Sequence, residues 1–399
     1  MGNRRKRKQK KRIKNILHDP IVDSDLYRED LHIHTNLWVW ENPEDDSSVV
    51  GSFDAYIDPM SVLLLIDKVN RSPSNRYKIK RIGFVDHNTI LPSSVQDKIL
   101  LTQEDGLDIH FGMEISSSVM YKRDTKDLSV KHVHLIVYDP PMDDPEVKRF
   151  MVRINLMHKR MLRYMFDQFC KTNDLWIIPV DWIYERVGID SKSRSSRRRL
   201  SVLKLFRVLT DDVLEEMADQ RLNQLVRGTD VYGSIVRFAS VIAHHPLNLR
   251  FFMYSKEFNT EDDVVKFLLN NFKELIDNSY ISSEEVIQFA KKVDSPIILA
   301  HPGKTRVNRT VINILIEQGL DGIEVFHPLN HDVEDLIKLA SSRKVGITVG
   351  TDFHGSKHKD HLDSYLKLIK RIRKQISKAK PVNHHVMRKK LPYINNHRR

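Results

Sequence analysis

Asp30-Leu31-His32-Ile33-His34-Thr35 is the stretch on which the reading of this chain turns. In an extended strand alternate residues point to one side, so His32 and His34 are aimed together while Leu31 and Ile33 face the other way. Two imidazoles at that spacing can hold one ion jointly, but a lone His-x-His in a strand is more often structural than ligating. The question is whether other apolar runs end in similar residues.

They do. The sequence continues with Phe84-Val85-Asp86-His87-Asn88, Gly112-Met113-Glu114, His132-Val133-His134 running on to Tyr138, Ile298-Leu299-Ala300-His301-Pro302-Gly303, Gly322-Ile323-Glu324-Val325-Phe326-His327-Pro328 and Gly350-Thr351-Asp352-Phe353-His354-Gly355. Each piece alone is weak, since a strand-end acid is often a helix cap and a His-Pro is usually a turn. Together they place His, Asp and Glu at the C-terminal ends of successive strands, where barrel active sites are built. Imidazole and carboxylate donors without thiolate suit Mn, Fe, Zn or Mg. More than four candidate ligands imply more than one ion, and multi-metal hydrolases use such sites to activate water and clamp phosphoryl oxygens.

The surrounding pattern fits. Strands are expected at 30–34, 80–86, 108–115, 131–138, 296–300, 322–326 and 345–351, and helices at 58–69, 282–293, 309–318, 332–342 and 360–374. Strands alternating with helices predict a parallel sheet or barrel. Residues 143–280 break the rhythm. A long amphipathic helix is expected over 147–170, with Phe150, Ile154, Met157, Met161, Met165 and Phe169 on one face, and helical patterns return near 200–209 and 262–276. The domain reading is a basic, disordered tail over 1–20, a discontinuous barrel from 25–145 and 280–375, a mostly helical insertion over 146–279 that caps it, and a basic tail over 376–399.

The 399 residues carry a net charge of +12, and its location matters more than its size. Residues 1–14 hold nine Lys or Arg and residues 367–399 hold twelve, neither with an acid, which leaves residues 15–366 near −9. An acidic body suits metal cations, and basic ends suit RNA or DNA, although solvated tails are the plainer reading. One cysteine, Cys170, excludes a disulfide framework and a thiolate zinc site, and points to a reducing, cytoplasmic setting. No apolar run reaches membrane-spanning length, and the basic N-terminus has no apolar segment behind it, so no secretory signal is read there. No P-loop, nucleophile-elbow, His-Glu-x-x-His or Gly-x-Gly-x-x-Gly pattern appears.

Six segments in order, DLHIHT (30–35), VDHN (85–88), GMEIS (112–116), HLIVYD (134–139), LAHPGK (299–304) and GTDFHG (350–355), resemble the PHP family, named for polymerase and histidinol phosphatase domains. GIEVFHP (322–328) and the insertion before LAHPG are most similar to the branch that acts on RNA and nucleotide 5′ ends. The resemblance implies an α/β fold, a distorted (β/α)7 barrel with a helical insertion, and two or three divalent metals, commonly Mn, Fe or Zn, with Mg also compatible. Carried over segment by segment, it implies metal ligands at His32, His34, His87, Glu114, His134, His301, Asp352 and His354. Asp86 would orient a neighbouring histidine, His327 would ligate or touch phosphate, and His132 would be structural. The family's further ligand after the first His-x-His falls here near Trp40, which cannot ligate, leaving Glu41, Asp45 or Asp46 as substitutes.

For phosphate, Lys304, Arg306 and Arg309 follow His301, with Arg306 favoured for bidentate contact, and a basic segment at 191–207 is a second candidate. His244-His245-Pro246 reads as a loop feature. The expected activity is hydrolysis of phosphoester bonds of RNA or DNA ends or of small nucleotides by a metal-bound hydroxide. The alternatives are a small-molecule phosphatase of the histidinol-phosphate type and a degenerate domain that binds nucleic acid without catalysis.

Overall fold

The structure is a computed structural model that describes residues 16–19, 24–36, 55–73, 75–103, 106–122, 128–172, 177–178, 200–201, 230–244, 261–356 and 360–379. The expectations for the basic tails apart from residues 16–19 and 376–379, for Trp40, Glu41, Asp45 and Asp46, for His245 and Pro246, and for nearly all of the segment 191–207 lie outside these residues. The chain forms two units, one from residues 1–150 with 281–399 and one from residues 151–280.

The first unit is an almost closed mixed sheet. Its strands are β1 (Glu29–Ile33), β2 (Arg81–His87), β3 (Asp108–Lys122), β4 (Leu128–Tyr138), β7 (Ile281–Ser282), β8 (Ile297–Leu299), β9 (Gly322–Phe326) and β10 (Gly346–Val349). The order is β1-β2-β3-β4-β8-β9-β10, with β7 beside β3. A parallel bridge from Ile33 to Phe353 joins the two ends, so the sheet curls into a distorted (β/α) barrel.

All seven expected strands form, with one departure from the expected parallel sheet. β4 runs antiparallel to both β3 and β8. Only residues 123–127 separate β3 from β4. A link that short turns the chain back on itself, whereas a parallel pair needs a crossover of a dozen or more residues. Ligands therefore do not all lie at strand C-termini: Glu114 is in the middle of β3, and His134 precedes the C-terminal end of β4 by four residues.

Outside the sheet stand α1 (Pro59–Arg71), α2 (Ser93–Thr102), the start of α3 (Pro145–Thr172), α7 (Ser283–Lys292), α8 (Arg309–Gln318), α9 (Val333–Arg343) and α10 (His361–Lys378). Their ends are set by local chemistry. Asp58 accepts from Ser61 N at 2.9 Å, Asn308 from Val311 N at 2.9 Å, and Ser282 from Glu285 N at 3.3 Å, each satisfying an N–H the first turn leaves open. Gly319 ends α8 at φ 109°, a left-handed cap that suits glycine. Each helix buries one apolar stripe, such as Val62, Leu65, Ile66 and Val69 of α1.

Below the sheet, Ile16 and Leu17 plug the end opposite the ligands. Ile16 joins a buried cluster with Leu31, Val85, Ile136, Tyr138, Ile298 and Ala300, and His18 pairs with Ile347. A Cβ on Gly346 would stand 2.6 Å from Leu17, so only glycine admits the plug.

The second unit holds the rest of α3, α4 (Val231–His244), α5 (Glu261–Asn271), α6 (Lys273–Asn278) and a pair of two-residue strands, β5 (Ile177–Ile178) and β6 (Leu200–Ser201). Leu200 and Ser201 are thus strand where a helical pattern was expected. Ile154, Met161 and Met165 of α3 are buried, as the amphipathic pattern requires. Among the described residues no helix is long and apolar enough to cross a membrane.

His110, near the start of β3, gives a pH test of the first unit. Burial depresses its pKa, but Asp108 and Asp139 more than reverse this and raise it to about 9. A raised imidazole stabilises the fold fully below its unfolded value near 6.5 and loses that contribution as pH climbs through about 9. We expect His110→Gln to abolish up to about 3 kcal/mol of pH-dependent stability over that window, read as melting midpoint against pH in both proteins.

Candidate metal centre

Glu114 is fully buried and is the hub of the site. Register sets its company: His87 of β2 lies level with Glu114, and His134 of β4 pairs with Ser116 two residues on. Glu114 Oε2 lies 3.2 Å from His32 Nε2, 3.1 Å from His34 Nε2 and 3.3 Å from His87 Nδ1. Glu114 Oε1 lies 2.7 Å from His134 Nδ1 and 2.8 Å from His301 Nε2. One carboxylate thus faces five imidazoles.

Asp352 and His354 arrive across the barrel seam. Asp352 N donates to His32 O and His34 N donates to Phe353 O, both at 2.9 Å, which lays residues 352–354 along the end of β1. Asp352 Oδ1 comes within 3.2 Å of His34 Nε2 and 3.7 Å of His32 Nε2. His354 stacks on His34 with ring centroids 4.1 Å apart. Asp352 and His301 hold positive φ, at 56° and 24°, a strained backbone for non-glycine residues that is concentrated at functional sites.

A second carboxylate orients the ligands. Glu324 Oε1 is 3.0 Å from His32 Nδ1, and Glu324 Oε2 accepts from His301 N at 2.8 Å. A carboxylate behind a histidine fixes the ring and leaves its other nitrogen for a metal. A Cβ on Gly350 would fall 2.0 Å from Glu324 Oε1 and 2.4 Å from the Cβ of His32, so that glycine makes room for the pair. Asp86 lies behind the cluster: it accepts from Thr35 N at 2.7 Å and Thr35 Oγ1 at 2.9 Å and anchors the end of the His-x-His strand. Asp30 holds Thr351 N at 2.8 Å and Thr351 Oγ1 at 2.7 Å in the same manner.

The charge balance calls for a cation. Burial opposes ionisation of Glu114 and Asp352. The histidines around the first, and Lys304 with His354 beside the second, still hold both carboxyls well below the usual range. Burial pushes His301 down to about 4 and His354 to about 3, and takes His87 well below its usual value, so these rings are neutral and able to ligate. Burial also disfavours protons on His32 and His34, but the carboxylates win and raise both, His34 to about 9. Those protons occupy the place of positive charge that an ion would supply.

The donor atoms also have the spacing of coordination shells. Three sets lie within 4.8 Å: His32, His34, Glu114 and Asp352; His34, His87 and His354; and His87, Glu114 and His134. Ligands about 2.1 Å from one ion in a tetrahedron sit about 3.4 Å apart, close to the 3.0–3.7 Å that separate His32 and His34 from each other and from Glu114 and Asp352. Asp352 Oδ1 is buried without a hydrogen-bond partner. All eight residues expected as ligands are in or beside these sets, with His301 joined through Glu114.

The other expected residues are spread around the cluster and beyond it. His327 Nδ1 accepts from Leu329 N at 3.1 Å, which in the neutral ring leaves Nε2 as a donor, 3.7 Å from Asp352 Oδ2. Arg306 is exposed on the loop after His301, and Arg309 is the first residue of α8. It is Lys304 from that loop whose Nζ pairs with Asp352 Oδ2. His132 precedes His134 on β4 and pairs with Ser118, two residues beyond Ser116 on β3. Glu324 stands in the Gly322–Pro328 segment, from which only His327 was singled out; a carboxylate inside an apolar strand was the available signal.

No known protein family and no curated protein matches the chain by sequence. Solved structures similar to it include a proposed metal-dependent phosphoesterase from Bifidobacterium adolescentis, with 17% identity, TM-score 0.44, and 86% of this chain and 96% of that one covered. Another is an amidohydrolase from Chromobacterium violaceum with bound sulfate and no metal, with 16% identity, TM-score 0.41, and 84% of this chain and 90% of that one covered.

Glu324 and Gly350 offer the sharper test of the centre because both act through the ligands. We expect Gly350→Ala and Glu324→Gln to weaken divalent-metal affinity about 10- to 100-fold, read by elemental analysis after dialysis against graded metal. Unchanged metal content in Gly350→Ala would show that the packing of Glu324 on His32 is incidental.

Proposed function

We propose that the chain is a metal-dependent phosphoesterase that hydrolyses phosphoester bonds of nucleic-acid ends or small nucleotides. The observation that carries this reading is the convergence of seven histidine and carboxylate donors, Glu114 among them, in three overlapping sets, with a lysine paired to one of them. His32, His34, Glu114 and Asp352 would hold one ion, and His87, His134, His301 and His354 would complete a second or third. Divalent ions there, with Mn, Fe or Zn favoured by the imidazole-rich shell, supply an activated water and neutralise charge on phosphoryl oxygens.

The chain's own groups do the rest. Lys304, only partly exposed, can leave Asp352 for an incoming phosphoryl oxygen as a mobile point charge. The buried His327 aims its Nε2 toward Asp352, from which position it could donate to a phosphoryl or leaving oxygen bound there. Glu324, Asp30 and Asp86 keep the ligand strands in place, which holds the reacting groups in one geometry.

The direct assay is phosphate release in Mn2+ from a 5′-phosphorylated RNA oligonucleotide and from a nucleoside 3′,5′-bisphosphate. We expect turnover that disappears in a His134→Ala, Asp352→Ala double variant. Lys304→Ala should lower kcat/KM by about 10- to 100-fold, mostly through KM, as befits removal of one charge-assisted hydrogen bond. No turnover with Mn, Fe, Zn or Mg would contradict the proposal. Preference for the short substrate would place the enzyme among small-molecule phosphatases.

A further inference from the structure

Helix α10 carries a second feature that the metal centre does not use. Its Tyr365, Ile369, Ile372 and Ile376 are buried against the barrel. At 100° per residue, Lys367, Lys370, Arg371, Lys374 and Lys378 fall together on the opposite face, and all five are exposed. Among the described residues none of the five is paired with an acid. The single acid of the stripe, Asp363, lies in the first turn, where its backbone N–H donates to the capping Asp360.

Arg373, between these cations, shows what a structural arginine looks like on the same helix. It donates to Tyr27 O at 3.2 and 3.0 Å and to Tyr77 O at 2.5 Å, and it also binds Asn75 Oδ1. Its guanidinium lies 5.7 Å from the centre of the Tyr77 ring, which stacks on Tyr27 at 4.6 Å. The exposed Arg76 lies 5.5 Å from the same ring and widens the basic face on that flank.

From this arrangement we infer that the outer face of α10, with Arg76, is a docking surface for the phosphate backbone of RNA or DNA. Lys367 to Lys378 span about 16 Å, the axial length of about five nucleotides of one duplex strand. Charge complementarity selects a polyanion. The buried apolar face leaves the helix nothing to insert into a lipid surface, since interfacial helices bind through an exposed apolar face. Beyond Lys378 the chain continues through Lys380, Arg388, Lys389, Lys390, Arg398 and Arg399 without an acid, so positive charge extends past the helix. The N-terminal end of α10 adjoins the loop bearing Asp352 and His354, because His361 Nδ1 accepts from Ser356 N at 2.9 Å. The surface shares its polyanion with the proposed function, but its test reads binding alone and stands or falls without turnover.

The test titrates a fluorescein-labelled single-stranded RNA with the full chain in EDTA, by anisotropy, over a series of KCl concentrations. The variant neutralises Lys367, Lys370, Arg371, Lys374 and Lys378 to Gln, and a second neutralises Arg388, Lys389 and Lys390. We expect the helix variant to bind at least tenfold more weakly at low salt. Its slope of log affinity against log salt should be less negative by about 3, at roughly 0.7 for each phosphate the variant no longer neutralises. Its melting curve should match the wild type, since exposed charges far from a cap or core change stability little. A wild-type slope in the helix variant, with weakened binding confined to the tail variant, would overturn the proposal. So would a wild-type chain that ignores RNA, or one that binds phosphatidylserine vesicles in its place.

Discussion

One buried carboxylate facing five imidazoles is the constraint around which this structure is arranged. Glu114 is fully buried, yet its carboxyl stays ionised because His87, His134, His32 and His301 surround it. A charge in that position is costly unless it is paired. Protons on His32 and His34 offset part of the charge that Glu114 and the nearby Asp352 bring together. The cluster is too anionic to be comfortable with neutral rings and too crowded to protonate throughout. A divalent cation resolves both problems with one particle.

The barrel is built to deliver these groups to one place. Parallel register sets His87 of β2 level with Glu114 of β3, and the reversed β4 brings His134 in from the other side. The seam from Ile33 to Phe353 carries Asp352 and His354 onto the end of β1. Behind the ligands stand Asp30, Asp86 and Glu324, three carboxylates that hold Thr351, Thr35 and His32. Small residues are as necessary as charged ones, since Gly350 leaves the space in which Glu324 and His32 meet.

Much of this was legible in the sequence because chemistry and period coincide. His32 and His34 alternate within β1, Glu114 and His134 lie in apolar runs, and Arg309–Gln318 and Gly322–Phe326 form with the expected bounds. The reversal of β4 was not visible in periodicity, which is the same for parallel and antiparallel strands, and the expected strands at 108–115 and 131–138 stood far enough apart for a crossover; the short link emerges only because β3 runs on to Lys122 and β4 starts at Leu128. Glu324 was underread because an acid in a strand does not announce its partner 292 residues away. Leu200–Ser201 took strand pairing with Ile177–Ile178 over a helical pattern, as nonlocal hydrogen bonds override weak local propensity.

X-ray anomalous scattering from a crystal of the protein loaded with Mn2+ tests the central claim most directly. The account predicts peaks within coordination distance of Glu114, with at least one shared by His32, His34 and Asp352. Peaks confined to the protein surface, with Glu114 still bound only by its histidines, would contradict it.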